Sequence, residues 1–138
     1  MKIATRGLEL ELVVLRPADE EGWCRVRASV QVPGFDGEIE AWLQTDDLSR
    51  FAAELRALDE NVGQPGSARL ASAEPDIELV ISTQRLGAIS GRYRLESERR
   101  EGVPTVLSGA FDADQSFLPG MVDDVKALLS ELGGAHEA

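Results

Sequence analysis

Two stretches of the chain carry apolar residues at helical spacing. In the first, apolar side chains recur every three or four residues from Leu48 to Val62, which places them on one face of an α-helix. Thr45 is the expected N-cap of this helix, and Gly63 is the expected end. In the second stretch, the same spacing runs from Leu118 to Leu132, with Ser116 as the expected cap. The pattern therefore predicts two amphipathic helices, each with one buried face.

Alternating apolar and polar residues predict about seven β-strands around these helices. Turn residues such as Pro33-Gly34 and Asp36-Gly37 lie between strands that are close in sequence, which favours antiparallel pairing. The polar face of the first strand is acidic and that of the second is basic, so Glu–Arg pairs between them are expected to fix their register. Gly91, inside a strand, indicates a bulge or a close approach by another group. The predicted strands cover residues 8–15, 23–32, 38–43, 67–74, 77–81, 88–96 and 103–111.

The order of the elements predicts the α+β class. Strands precede each helix, and we expect a mainly antiparallel, curved β-sheet with both amphipathic helices packed on it. The expected core includes Phe51, Leu55, Val125 and Leu129. At 138 residues the chain has the length of a single domain, predicted to cover residues 1–138 with a frayed tail at about 134–138.

The composition is typical of a folded protein outside membranes. The hydrophobic fraction is 43%, and no apolar run approaches the roughly 18 residues that a membrane span requires. The N-terminal residues show no signal-peptide pattern. Cys24 is the single cysteine, which excludes an intramolecular disulfide and fits a reducing compartment. We therefore expect a cytoplasmic protein.

The net charge of −11 is concentrated in two segments. Residues 36–60 hold eight acids and two bases, a net of −6, and residues 112–138 hold six acids and one base, a net of −5. Each segment contains a predicted helix, so two helices on one side of a sheet would form an acidic face. Such a face repels nucleic acid and anionic membranes and attracts a basic protein. The alternative, in which acidity only keeps the protein soluble, stays open.

Residues for catalysis, cofactor binding or metal binding do not form a recognisable set. His136, the only histidine, lies in the tail, so neither a Ser–His nor a Cys–His arrangement is expected. Cys24 is interpreted as a small strand residue rather than a nucleophile. Asp112 and Asp114 have the spacing of a calcium loop, but apolar residues follow where further ligands are needed. We therefore predict that the protein is not an enzyme and has no cofactor or metal site.

Trp42 has two opposed interpretations. It lies on the same strand face as Glu38 and Glu40 and opposite Ile39. If the first helix covers the Ile39 side, an exposed Trp42 beside carboxylates suits a binding anchor. If a strongly curved sheet has a second layer, Trp42 is ordinary packing. We favour packing, because about seven strands suggest such curvature.

The sequence resembles a family of small bacterial proteins over roughly residues 26–130. The shared motifs are structural: turns, strand residues and helix entries. They are Pro33-Gly34-Phe35, Gly37, Trp42-Leu43, Asp47-Leu48, Phe51-Ala52, Leu55-Arg56-Ala57-Leu58, Ala68, Leu70, Gly87 and the helix entry Asp114-Gln115-Ser116-Phe117-Leu118-Pro119. The family is that of the WapI-type immunity proteins. The resemblance implies a cognate inhibitor of a contact-delivered or polymorphic toxin, and it transfers no binding residue to this chain.

Two functions of different classes follow. The first is a non-catalytic, acidic interaction protein, most concretely an immunity protein that occupies the basic surface of a toxin. The second is a small-ligand-binding or enzymatic domain with a pocket between sheet and helices, lined by Glu38, Glu40, Trp42 and Tyr93. For the first function, the candidate partner contacts are Asp46, Asp47, Glu54, Asp123, Asp124, Glu131 and Trp42.

Overall fold

A computed structural model describes residues 1–72, 76–97 and 102–133 of the chain. In these ranges the chain forms two α-helices and eight antiparallel strands, which confirms the α+β class. A 3₁₀ turn at Arg85–Gly87 joins two of the strands. In chain order the elements are β1 (Lys2–Thr5), β2 (Leu8–Arg16), β3 (Trp23–Val32), β4 (Phe35–Gln44), α1 (Thr45–Glu60), β5 (Gly66–Ala71), β6 (Ile77–Thr83), β7 (Ile89–Glu96), β8 (Val106–Ala113) and α2 (Phe117–Gly133).

The strands divide into two four-stranded sheets. Sheet A has the order β1-β2-β3-β4 and sheet B the order β5-β6-β7-β8. Each sheet is followed in the chain by one helix, so the described chain consists of two ββββα halves. The strand beyond the predicted seven is β1, whose four residues are too few to show a clear alternation. The sequence shows no repeat that would reveal the two halves.

One hydrophobic cluster joins both sheets and both helices. Phe51, Leu55 and Val125 are fully buried in it, as predicted, and Leu129 is partly buried at its margin. The two helices pack on each other; α1 also packs against β5, and α2 against β1 and β2. Each helix therefore contributes its apolar face to a shared core, because that face has no other way to leave water.

The predicted N-cap of α1 is wrong, whereas Ser116 does stand directly before the first residue of α2. Gln44 is the N-cap of α1, and its N–H donates to Asp47 at 3.0 Å. The Thr45 hydroxyl instead donates to the carbonyl oxygen of Gly22 at 3.2 Å, which ties the start of α1 to the β2–β3 turn. Before α2, the amide and hydroxyl of Ser116 both donate to Asp114. These bonds, the hydroxyl bond first, lower the pKa of the Asp114 carboxyl.

The predicted Glu–Arg pairing between the first two long strands is also wrong. The arginines of β3 pair diagonally with β4, Arg25 with Glu40 at 3.4 Å and Arg27 with Glu38 at 3.9 Å. The register explains this, because Gln31 and Ser29 stand opposite the glutamates of β2. The end of one predicted strand, most of the predicted charged hairpin and the predicted frayed tail fall in segments 73–75, 98–101 and 134–138, which lie outside the described residues.

Candidate protein-binding surface

Three of the six candidate helix carboxylates hold hydrogen bonds within the protein. Asp47 accepts from the Gln44 N–H and lies 3.8 Å from Arg50, with a side chain that is only 13% exposed. Glu54 accepts from the backbone N–H of Arg69 at 3.0 Å, and Asp124 accepts from that of Lys2 at 3.2 Å. Because these bonds use the carboxylates internally, the three residues serve the fold first.

Glu54 and Asp124 perform the same task at two strand edges. Glu54 lies on α1 and binds an outward N–H of β5, the first strand of the second half. Asp124 lies on α2 and binds an outward N–H of β1, the first strand of the first half. Each helix thus satisfies an edge group of the opposite half, where an unpaired strand edge would otherwise invite pairing with another chain.

Asp46, Asp123 and Glu131 remain exposed at the surface. They do not form an acidic face on one side of a single sheet, because α1 packs against sheet B while α2 packs against sheet A. Their positions suit long-range attraction of a basic partner more than close packing, since exposed charges act over about 8–10 Å at moderate salt.

Trp42 is partly exposed, so the favoured interpretation as buried packing is wrong. Its side chain is 39% exposed on the face of sheet A that points away from the core. The guanidinium carbon of Arg25 lies 5.2 Å from the ring centroid, within the range of a cation–π interaction. The helices and sheet B cover the opposite face of sheet A, where Ala41 and Leu43 are fully buried.

The outward face of sheet A, here called the outer face, is acidic. Its β4 residues Glu38 and Glu40 pair with arginines of β3, whereas Glu9 and Glu11 stand opposite uncharged residues of β3. On its other side, Glu11 stands opposite Lys2 of β1. An open groove of about 440 Å³ runs along it, lined partly by Lys2 and four carboxylates. This surface was not predicted from the sequence, because the acids of β2 and β4 come together only through the β3 register. The outer face comprises Glu9, Glu11 and Val13 of β2, Arg25, Arg27, Ser29 and Gln31 of β3, and Asp36, Glu38, Glu40 and Trp42 of β4.

The pocket expected for a ligand-binding function is not assembled. Tyr93 lies in the core of sheet B, 6% exposed, whereas Glu38, Glu40 and Trp42 lie on the outer face of sheet A.

Cys24 is fully buried, as its interpretation as a strand residue required, and its thiol donates to the Leu43 carbonyl oxygen at 3.1 Å. Burial raises the pKa of the Cys24 thiol to about 11, so it stays protonated at neutral pH.

An exposed leucine in one of the turns had no signal in the sequence. Leu86, in the turn between β6 and β7, is 99% exposed and has a φ of 71°. The Gly87 N–H donates to the Gln84 carbonyl oxygen at 3.2 Å, so Leu86 lies inside a tight turn, at a position with positive φ where glycine is usual. The left-handed conformation therefore strains the backbone at Leu86, and no burial of the side chain offsets that cost.

The described part of the chain contains neither a metal-binding cluster nor a helix that could span a membrane. Within residues 1–72, 76–97 and 102–133, no group of three or more His, Cys, Asp or Glu side chains is arranged to hold a metal ion. Neither helix in these ranges is long and apolar enough to cross a membrane.

Comparisons with known proteins give a family and a fold. The model of the Immunity protein WapI-like family matches residues 2–133. No curated protein sequence matches the chain. Among solved structures, the plant transcriptional regulator PBF-2 is similar with a TM-score of 0.53 and 8% identity, over 99% of this chain and 83% of that one. WHY1 from Arabidopsis thaliana is similar with a TM-score of 0.51 and 9% identity, over 99% of this chain and 86% of that one. At such identities the likeness shows the fold alone.

Proposed function

Because the chain belongs to the Immunity protein WapI-like family, we propose that it is a non-catalytic immunity protein that binds and inhibits a cognate bacterial toxin. The family match over residues 2–133 carries this proposal. An inhibitor of this kind needs a rigid surface rather than a catalytic centre. The protein would act in the cytoplasm, where it meets the toxin before the toxin reaches its target.

The proposed partner is a basic toxin domain. The chain has a net charge of −11, and its surface includes the exposed helix acids and the acidic outer face of sheet A. A toxin that cleaves RNA or DNA presents a basic cleft to its substrate, and a rigid acidic surface competes for that cleft. The same charge opposes binding of nucleic acid or an anionic membrane by this chain. The likeness to the plant structures supports no shared partner.

We assign different tasks to the anchor and to the helix acids. Trp42 on the outer face is the proposed anchor, because a partly exposed tryptophan can bury a large area at the centre of an interface. Asp46, Asp123 and Glu131 would steer the partner toward the protein, which raises the association rate more than the final affinity. Asp47, Glu54 and Asp124 would contribute mainly by holding the fold.

The direct test uses a candidate toxin domain, which is to be sought first in the gene immediately upstream of the one for this chain. Co-expression of the two proteins should restore the growth that the toxin domain alone prevents, and the purified proteins should form a complex that lacks toxin activity. Continued growth arrest together with the absence of a complex would contradict the proposal. If the two proteins bind but the toxin stays active, the toxin domain is a binding partner and the immunity function is wrong.

Kinetics of the same complex separate the anchor from the steering residues. Trp42→Ala should raise the dissociation rate at least about tenfold, as for a central aromatic contact. Val103→Ala, a change at an apolar residue that is 92% exposed in the loop before β8, is the control and should leave both rates unchanged. Replacing Asp46, Asp123 and Glu131 together by lysine should lower the association rate and flatten its salt dependence. Rates insensitive to both sets of changes would exclude the outer face and the helix acids as contacts.

The second candidate function is small-ligand binding in the 440 Å³ groove. The groove is open, and its acids Glu9, Glu11, Asp36 and Glu38 are exposed. Exposed carboxylates on a sheet surface are better placed to meet a basic protein than to enclose a small molecule. We therefore rank protein binding above ligand binding for this surface.

A further inference from the structure

The hydrogen-bond pattern of sheet A leaves the outer edge of β4 open. The N–H of Thr45 donates to the carbonyl oxygen of Gly22 at 2.9 Å, which continues the β3–β4 ladder by one pair. Hydrogen-bonded pairs alternate along an antiparallel ladder, so every second residue of β4 bonds to β3 and the others point away from it. Gln44 shows this alternation, because its N–H donates to Asp47 instead of β3. The β4 residues whose N–H and C=O groups point away from β3 are Asp36, Glu38, Glu40 and Trp42.

The other sheet edges are at least partly covered. Glu54 binds the outward N–H of Arg69 on β5, and α1 packs along that strand. Asp124 binds the outward N–H of Lys2 on β1, which also lies against β8. Among the described residues, none outside β3 forms a hydrogen bond with the backbone groups of residues 36–42. Ten-residue β4 is therefore the longest edge that is available for pairing.

The side chains of the same four residues determine which kind of strand can pair with the free edge of β4. Asp36, Glu38 and Glu40 project from the outer face at alternate positions, followed by Trp42. A second copy of β4 paired with the first would bring carboxylates opposite carboxylates, and like charges at directly opposed positions destabilise a strand pair. Charged residues on an edge are a common protection against self-association. The edge is thus closed to a second copy and open to a strand of opposite charge.

We propose that β4 binds an extended basic segment of the protein partner by strand addition to sheet A. This inference rests on the proposed function, in which that partner is the toxin domain. The segment would carry Lys or Arg at alternate positions, opposite Asp36, Glu38 and Glu40. Its intervening residues would be small or apolar, because they would lie beside Gly37 and the partly buried Ile39 on the inner side of the sheet. Main-chain hydrogen bonds would supply affinity and the alternating charges would supply selectivity.

Hydrogen exchange at the β4 backbone amides tests strand addition directly in the full-length protein. In the free protein, the amides of residues 38, 40 and 42 should exchange fast, and those of residues 37, 39 and 41 should exchange slowly, because only the latter bond to β3. In the complex with the toxin domain, the fast amides of β4 should become protected. Protection should not change at Arg69 or Lys2, whose amides Glu54 and Asp124 already bind.

A pair of substitutions at one position separates the backbone from the charge. Glu38→Gln removes the charge and keeps the N–H, whereas Glu38→Pro removes both. Because the Glu38 N–H points away from β3, proline should be tolerated in this edge strand. We expect Glu38→Pro to weaken toxin binding by about a further tenfold beyond Glu38→Gln, since it also removes a main-chain bond. Ile39→Pro is the contrasting control, because it breaks the β3 ladder and should destabilise the protein itself.

The outcomes distinguish this inference from the proposed function. If the toxin domain binds but the β4 amides stay fast in the complex, strand addition is wrong and the immunity function stands. If Glu38→Pro and Glu38→Gln bind the toxin domain with equal affinity, strand addition is likewise wrong and the immunity function stands. If Glu38→Pro does not fold, hydrogen exchange on the unchanged protein still decides. If no complex forms, the proposed function fails and strand addition fails with it.

Discussion

Replacing Leu86 by glycine should stabilise the protein, although it removes a large apolar side chain. Leu86 is 99% exposed, so its side chain contributes no burial that could be lost. Its φ of 71° places an L-residue in the left-handed region, where the Cβ atom crowds the backbone. Glycine has no Cβ and adopts this conformation without strain.

The size of the effect follows from two opposing terms. Release from the left-handed conformation is worth about 1–2 kcal/mol. Glycine also gains freedom in the unfolded chain, which costs about 0.5–1 kcal/mol. The two ranges leave a net gain in the free energy of unfolding of about 0–1.5 kcal/mol with a midpoint of about 0.75 kcal/mol, and at that midpoint Tm should rise by about 2–4 °C for a chain of this length.

Urea and thermal unfolding followed by far-UV circular dichroism would measure this gain. Leu86→Ala is the matched control, because it removes the same side chain and keeps the backbone strain. Its stability should lie close to that of the unchanged protein. A destabilised Leu86→Gly, or an equal gain from Leu86→Ala, would show that backbone strain at this turn is not the cause. If the glycine variant is more stable but binds the toxin less tightly, the strained leucine has a function at the interface.

Three further predictions test the core and the strand edges. Glu54→Ala should lower the free energy of unfolding by about 1 kcal/mol through loss of its bond to the β5 edge, whereas the exposed control Glu131→Ala should leave it nearly unchanged. Gly91→Ala should cost about 1–3 kcal/mol in urea unfolding, because a Cβ at Gly91 would lie 2.1 Å from the ring of the phenylalanine opposite it; a neutral change would mean that the ring moves at no cost. Cys24 should resist alkylation at pH 8 until the protein unfolds, and rapid labelling of native protein would contradict its burial. Because its folded pKa of about 11 exceeds the unfolded value near 9.0, Cys24 should make stability fall as pH rises from 9 to 11, and this component should be missing in Cys24→Ala.

The family resemblance and the local elements could be predicted from the sequence. The resemblance over residues 26–130 is confirmed by the family match over residues 2–133. Both helices have their apolar faces where the spacing placed them, from Leu48 to Leu58 and from Leu118 to Leu132. The predicted continuation to Val62 is wrong, because α1 ends at Glu60 and Val62 is exposed. Gly91 does mark a close approach, by the ring of Phe111. These features depend on residues that are close in sequence or directly paired, so periodicity and turn chemistry are sufficient to find them.

The candidate surface could be predicted only in part. Charge counting located the acidic segments, and Trp42 stays a predicted anchor, but its predicted burial was wrong. The exposure of Trp42 depends on which face of sheet A the helices cover, and the alternation along β4 is the same in either case. The expected Glu–Arg pairs failed for a similar reason, because β3 has neighbours on both sides and a sequence pattern does not choose between them.

By itself, the sequence determined the helices, most of the strands, the antiparallel pairing of neighbours and the excess negative charge. Only the tertiary structure decided which carboxylates are available to a partner. Glu54 and Glu131 are both acids on the polar sides of helices, yet Glu54 binds a strand edge 15 positions away and Glu131 binds no described residue. Asp124 and its neighbour Asp123 differ in the same way, because Asp124 binds the N–H of Lys2, 122 positions away. Contacts at such separations depend on how the two halves pack together, and that packing is not encoded in any local pattern.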